Sequence, residues 1–445
     1  MGRIALVSLT SLGLSAGIAT AKKRPVNDDL EVIVETEVGE PVMLAEEEGK
    51  AYIEIVLTGF TPPKQDRTPL NLALVIDRSG SMRGDRLEKA KEAALMVVDT
   101  LSEEDILTIV TYDTDVEVLV PPTRVQNRRE IRRRISAITD RGSTALYAGV
   151  SQGIEEVQQN FSKQRVNRIV LLSDGKANVG PSTPDALAEL GVRAGGLGIP
   201  ITTVGLGLGY NEDLMTQLAL SSDGNHGFAE EAADLARIFQ NELGDAMSVV
   251  ANDVIIEIEF ERGITPIRGL NRPLSIKGNK AKLKLNQIYG DQKKNLLVEV
   301  KVPKGVAGKT KKLANVGVQY RNLYTKKKKS VRSPVAVKFS KSKKIVESRA
   351  NKKVMVSVVE ALGNERQKNA IALRDKGKVK AAQRELEQAS TYLRTNGKKY
   401  GSKKLEDFAE ESAGDAAAMD DDRNWNKNRK KMKKSSHGKA ASQSW

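Results

Sequence analysis

Cysteine is absent from the 445 residues, and histidine is nearly so, with only His226 and His437. The first absence excludes disulfides, thiolate metal sites, thiol nucleophiles and a lipid-bearing N-terminal cysteine. The second leaves a histidine triad or a zinc cluster almost no material. No H-E-x-x-H pair is present to build a metalloprotease helix. Aromatic residues make up 4% of the chain, so the cores are expected to be aliphatic, and no stacking platform for nucleic acid is expected. Long apolar runs are also missing beyond the first 21 residues, which argues against a channel.

What is present is uneven. The net charge is +15, yet residues 262–344 hold 24 Lys/Arg against Asp291 and Glu299, a local +22 that leaves −7 for the remainder. Such a region attracts an anionic polymer, an anionic membrane surface or an acidic protein. Two clusters stand out in it, Lys326, Lys327, Lys328 and Lys329, and Lys341, Lys343 and Lys344, as candidates for anionic-surface binding. Lysine guarding solvated strand edges is the competing explanation. Residues 1–21 run from one arginine through an apolar stretch to Ala19-Thr20-Ala21, the pattern of a cleaved secretory signal, with an uncleaved anchor as the alternative. A secreted, periplasmic or cell-surface location follows from that expectation.

Periodicity divides the chain. Alternating apolar and polar residues in LEVIVETEV and AYIEIVLT predict strands within 28–60, and Thr61–Asp66 form a turn-rich linker. Over 68–251, apolar strand-like runs alternate with helical patterns, implying a mostly parallel sheet covered on both faces. Alternation returns over 252–345 in DVIIEIEF, KAKLKL, NLLVEVKV and ANVGVQY, as in a sandwich. The flanking β segments are expected to form one β-sandwich into which the α/β domain is inserted. Helical spacing over 350–412 predicts a C-terminal helical segment turning near Asp375–Lys378. The polar, charged residues 413–445 are expected to be disordered.

One constellation carries chemistry. In LALVIDRSGSM a buried strand ends at Asp77, and the following loop offers Ser79 and Ser81. Hard oxygen donors at the carboxyl end of a parallel strand suit Mg²⁺. A second loop, Asp140-Arg141-Gly142-Ser143-Thr144, precedes a helical pattern, and the apolar run IVLLSDG ends at Asp174-Gly175. Two weaker signals fail. Gly205–Gly209 lacks dinucleotide-loop spacing, and Pro303 stands where a P-loop before Gly308-Lys309-Thr310 needs glycine. His226 reads as a loop or strand-edge residue.

On D-x-S-x-S, the threonine loop and the third aspartate, residues 70–251 resemble the von Willebrand factor A family, whose metal-ion-dependent adhesion site uses these positions. The resemblance implies a Rossmann-like, doubly wound fold. It implies that Ser79, Ser81 and Thr144 coordinate Mg²⁺, with Mn²⁺ or Ca²⁺ as alternatives, and that Asp77 and Asp174 act directly or through water. It further implies that the metal receives a carboxylate from a protein partner, a binding rather than an enzymatic function. The overall layout is similar to secreted bacterial proteins of the calcium-activated-chloride-channel-homologue type and, more distantly, to inter-α-trypsin-inhibitor heavy chains. The competing expectation is an envelope scaffold in which the metal only stabilises the loops.

Overall fold

The computed structural model describes residues 30–62, 67–174 and 177–441. The expected signal, residues 1–21, and most of the linker therefore lie outside the described residues. Three strands come first, β1 (Ile33–Val38), β2 (Val42–Leu44) and β3 (Gly49–Thr58). The α/β domain follows as β4 (Leu70–Asp77), α1 (Asp85–Thr100), β5 (Ile106–Tyr112), β6 (Val116–Arg124), α2 (Arg128–Ser136), α3 (Leu146–Gln159), β7 (Val166–Ser173), α4 (Pro184–Leu197), β8 (Ile201–Leu206), α5 (Glu212–Ser221), β9 (His226–Ala229) and α6 (Ala232–Met247). Seven strands succeed it: β10 (Val249–Phe260), β11 (Thr265–Gly269), β12 (Ser275–Lys277), β13 (Lys280–Tyr289), β14 (Lys293–Val302), β15 (Thr310–Asn322) and β16 (Lys328–Ser340). Five helices close the chain: α7 (Lys343–Ser348), α8 (Lys352–Asp375), α9 (Val379–Tyr400), α10 (Lys403–Ala417) and α11 (Trp425–Ala441).

The α/β sheet has the order β6-β5-β4-β7-β8-β9, parallel except for β6. Every residue of β4 is buried, as expected for a strand with helices on both faces. Leu72, Leu74 and Ile76 pack toward α1, α2 and α6, whereas Ala73 and Val75 pack toward α3, α4 and α5. The first strand of the domain is thus central, with the sheet growing outward on both sides of it. The crevice outside its carboxyl end is where such folds place ligands.

Strands from before and after this domain share sheets. One has the order β1-β3-β14-β11, the other β12-β13-β10-β15-β16-β2. Ile53, Ile55 and Leu57 of β3 meet Val298 and Val300 of β14 and Ile256 and Ile258 of β10 in a common core. The α/β domain therefore interrupts a β-sandwich. Its two connections leave from one spot, because Gly59 bridges Gly290 while Val249 pairs with Tyr289.

The helical hairpin turns between α8 and α9 where the spacing predicted. The disordered tail is corrected: α10 extends to Ala417, and α11 is a packed helix of 17 residues. Its basic residues meet acids far away in sequence. Arg429 reaches Asp213 and Asp375, each at 2.7 Å, and also bonds Glu212, while Lys433 meets Asp213 at 2.9 Å. Lys430, only 1% exposed, is capped by Glu212, by the Tyr210 carbonyl at 3.0 Å and by Asn426. A charge run reads as solvated until its counter-charges are known, and these arrive only through the fold.

Candidate metal centre

Asp77 is carried into the site by β4 and is fully buried. Its Oδ1 accepts the Ser79 amide at 2.8 Å, and its Oδ2 accepts the Ser173 hydroxyl at 2.7 Å. The short turn Gly80–Met82, anchored by fully buried Met82, then brings the Ser79 and Ser81 hydroxyls to within 3.0 Å of each other. The Ser81 hydroxyl donates to Asp174 Oδ1 at 2.7 Å, joining the loop after β4 to the end of β7. Four of the five expected donors, Asp77, Ser79, Ser81 and Asp174, form one connected group. Only Ser81 among them is exposed, so the group faces solvent on that side.

Thr144 sits just before α3 and is 3% exposed. Its amide donates to Asn178 Oδ1 at 2.7 Å, and its carbonyl accepts the amides of Asn178 and Val179 at 3.1 and 3.3 Å. The Gly80 amide donates to the Gly142 carbonyl at 3.1 Å, and the Arg141 amide to the Arg78 carbonyl at 2.8 Å. The three loops named in the sequence therefore meet as one backbone-tied unit. Gly142 adopts φ 70°, and a Cβ there would lie 2.7 Å from the Thr114 hydroxyl, so this turn requires glycine.

Sequence reasoning missed the residues that hold these loops. Asp113 Oδ2 accepts Arg78 Nε at 2.7 Å and Arg141 Nε at 2.9 Å, clamping the first two loops. Arg86 of α1 pairs with Asp174 Oδ2 and donates to the Ser81 carbonyl at 2.9 Å. The position of Asp113 directly after β5 was the available signal, since that carboxyl end lies beside the one bearing Asp77.

Burial pushes the Asp77 carboxyl up to about 6, and nearby Asp174 adds to the rise against the hydrogen bonds from Ser79 and Ser173. Among the described residues, two carboxylates thus share the crevice with one rim guanidinium, Arg86, as their cationic neighbour. A hard divalent cation fits this donor set: two carboxylates and three hydroxyl residues, all oxygen, at a place that disfavours uncompensated negative charge. Among the described residues no cluster of three or more His, Cys, Asp or Glu side chains suits a metal, so such an ion relies on the hydroxyls.

The two lysine clusters lie apart. Lys326–Lys329 span the turn into β16 and its first two residues, and Lys341, Lys343 and Lys344 follow its far end, with residues 330–340, roughly 36 Å of strand, between them. Lys329 pairs with Glu31, and Lys341 with Glu46 at 3.4 Å.

A doubly wound sheet with D-x-S-x-S at the end of its first strand defines a class of domain, and residues 71–241 match the von Willebrand factor type A domain. The chain carries such an A domain. An uncharacterized protein, sll0103, of Synechocystis sp. is 33% identical over 174 residues, covering 39% of this chain and 41% of that one. Inter-alpha-trypsin inhibitor heavy chain H3 of Homo sapiens is 32% identical over 216 residues, 45% of this chain and 23% of that protein. The chain thus spans about two-fifths or less of the length of these curated relatives. A solved von Willebrand factor type A protein from Catenulispora acidiphila superposes with a TM-score of 0.69 at 18% identity, covering 84% of this chain and 88% of that one. The shared fold therefore extends beyond the A domain itself.

Proposed function

We propose that this chain is a non-enzymatic, cation-dependent protein-binding module acting outside the cytoplasm. Ser79, Ser81 and Thr144 hold Mg²⁺, with Mn²⁺ or Ca²⁺ as substitutes, and Asp77 and Asp174 contribute directly or through water. When bound, the ion supplies a Lewis-acid position for an anionic oxygen, here a carboxylate of a protein partner. The chain's own residues orient the hydroxyls, keep Asp77 dry and leave the Ser81 side open. The observation that carries this reading is the hydrogen-bonded convergence of Ser79, Ser81 and Asp174 upon buried Asp77. The extracytoplasmic location rests on residues 1–21 alone. No described helix is long and apolar enough to cross a membrane.

Calorimetric titration of the full chain with Mg²⁺ tests the metal. Binding by the wild type and none by Asp77→Ala is the expected result, and equal binding by both overturns the assignment. Capture of envelope proteins with and without chelator tests the partner. Mg²⁺ binding combined with capture indifferent to chelator favours instead a scaffold whose loops are already tied through Gly80, Gly142, Thr144 and Asn178.

A further inference from the structure

Arg86 reaches from the first turn of α1 into the metal group. Its Nη1 pairs with Asp174 Oδ2 and donates to the Ser81 carbonyl at 2.9 Å, so one nitrogen joins two of the candidate donor residues. A helix's first turn favours acids, here Asp85 and Glu88, so nothing in α1 itself calls for a cation at this place. The side chain also lies along Gly207, where an added Cβ would stand 3.3 Å from Arg86 Nε, so the fold leaves the guanidinium a fitted seat. The neighbouring arginines are neutralised elsewhere: Arg83 by Asp140 at 2.9 Å, and Arg78 and Arg141 by Asp113 and Glu117 at 2.7 to 2.9 Å. Among the described residues, Arg86 is the one cation paired with a candidate metal ligand.

Charge then decides what Arg86 does. With Asp77 and Asp174 ionised, the empty group is net negative by one charge among the described residues, and a divalent cation would make it net positive by one. Without the arginine the loaded group would be neutral. Arg86 therefore opposes the cation and favours an anion that follows it. Its side chain is 42% exposed and stands beside Ser81, the exposed member of the group, where a partner's carboxylate would arrive. We propose that Arg86 is a tethered stand-in for the cation, holding Asp174 in the empty site and passing to the partner's carboxylate in the loaded one. Metal and carboxylate then bind cooperatively, each weakly without the other. This inference rests on the metal reading above.

Mg²⁺ is titrated calorimetrically into the full chain, in chloride and in acetate at equal ionic strength and mildly alkaline pH. Arg86→Gln should bind Mg²⁺ about tenfold more tightly than the wild type in chloride, because a like charge has gone. Acetate, the carboxylate probe, should tighten Mg²⁺ severalfold in the wild type and less in Arg86→Gln, since the linkage between the two ligands is reciprocal. Arg86→Lys keeps the charge and should follow the wild type in both salts, which separates charge from lost packing. Three results overturn the inference while leaving the metal in place. One is Arg86→Gln binding Mg²⁺ no more tightly than the wild type, as when Arg86 merely positions Asp174. The second is a gain from acetate that the wild type lacks or that Arg86→Gln shares in full, and the third is Arg86→Lys matching Arg86→Gln. Absence of Mg²⁺ binding by the wild type overturns the metal assignment and this inference together.

Discussion

The strand β7 carries two opposite treatments of buried charge at its two ends. Near its start, Arg168 is 1% exposed and meets Glu242 of α6 at 3.0 Å, with the Tyr289 ring 5.4 Å away. Close by, Lys294 and Arg272 reach Asp223 at 3.3 and 3.2 Å. Each charge there has a counter-charge, and the groups join the A domain to the sandwich. Just past the other end stands Asp174, beside Asp77, where among the described residues two carboxylates face one arginine at the rim. The balanced end is built for holding two domains together. The unbalanced end keeps an electrostatic deficit that an arriving cation relieves.

Removing one member of the balanced end should have the largest effect. Glu242→Ala leaves Arg168 buried without its carboxylate and should cost about 3–5 kcal/mol, read as a fall in the denaturant midpoint. A loss under about 1 kcal/mol would erase the contrast with the metal face.

At the unbalanced end the sign reverses. With its folded pKa raised to about 6, ionised Asp77 weakens the metal-free fold as pH rises from about 4 to about 6, by about 3 kcal/mol at pH 7. Asp77→Asn should therefore raise the melting temperature in chelator while abolishing the gain from Mg²⁺, which is about 2.7 kcal/mol for the wild type at a hundredfold excess over Kd. Destabilisation of the metal-free protein by this change would contradict the electrostatic account.

Acid acts on the packed C-terminal helix. Burial holds His437 down at about 4, and His226, whose ring lies 6.0 Å away, is also depressed. A histidine with a lowered folded pKa contributes stability above about 6.5 that is lost as pH falls toward 4, about 3 kcal/mol for His437. Asp77, and Asp415 likewise raised to about 6 by burial, slope the other way in this window, so the observable is a difference. Subtracting the stability profile of His437→Gln from that of the wild type should isolate the loss. Superimposable profiles would remove His437 from the account.

The smallest effect belongs to the turn between loops. Gly142→Ala places a Cβ at positive φ against Thr114 and should cost about 1 kcal/mol and weaken Mg²⁺ severalfold, checked by melting and titration. A variant that melts lower but binds Mg²⁺ normally would separate loop strain from metal geometry.

The candidate donors were legible because their spacing is local. Asp77, Ser79 and Ser81 sit on one strand end and the loop after it, Thr144 stands just before a helical pattern, and Asp174 marks the end of an apolar run. Alternation likewise revealed β3, β10, β13, β14 and β15, whose inner faces are continuous with the core. Asp113, Arg78 and Asn178 were not legible as loop ties, since their partners are set by the order of strands rather than by neighbours in sequence. The tail failed for the same reason: Lys430 and Arg429 look solvated until α5 supplies Glu212 and Asp213. The short edge strand β9, HGFA, is too brief to show a period.

The paired connections of the A domain have a mechanical consequence. The chain leaves the sandwich at Gly59, whose amide donates to the Gln292 carbonyl at 3.1 Å, and returns at Ser248, whose carbonyl accepts the Gly290 amide at 2.7 Å. A pull on the A domain is therefore divided between two covalent threads rooted close together in interior strands of the two facing sheets, β3 leading away in one and β10 in the other. Load enters the sandwich along the length of both strands, so their ladders resist it in shear, and no single terminal strand is offered for peeling.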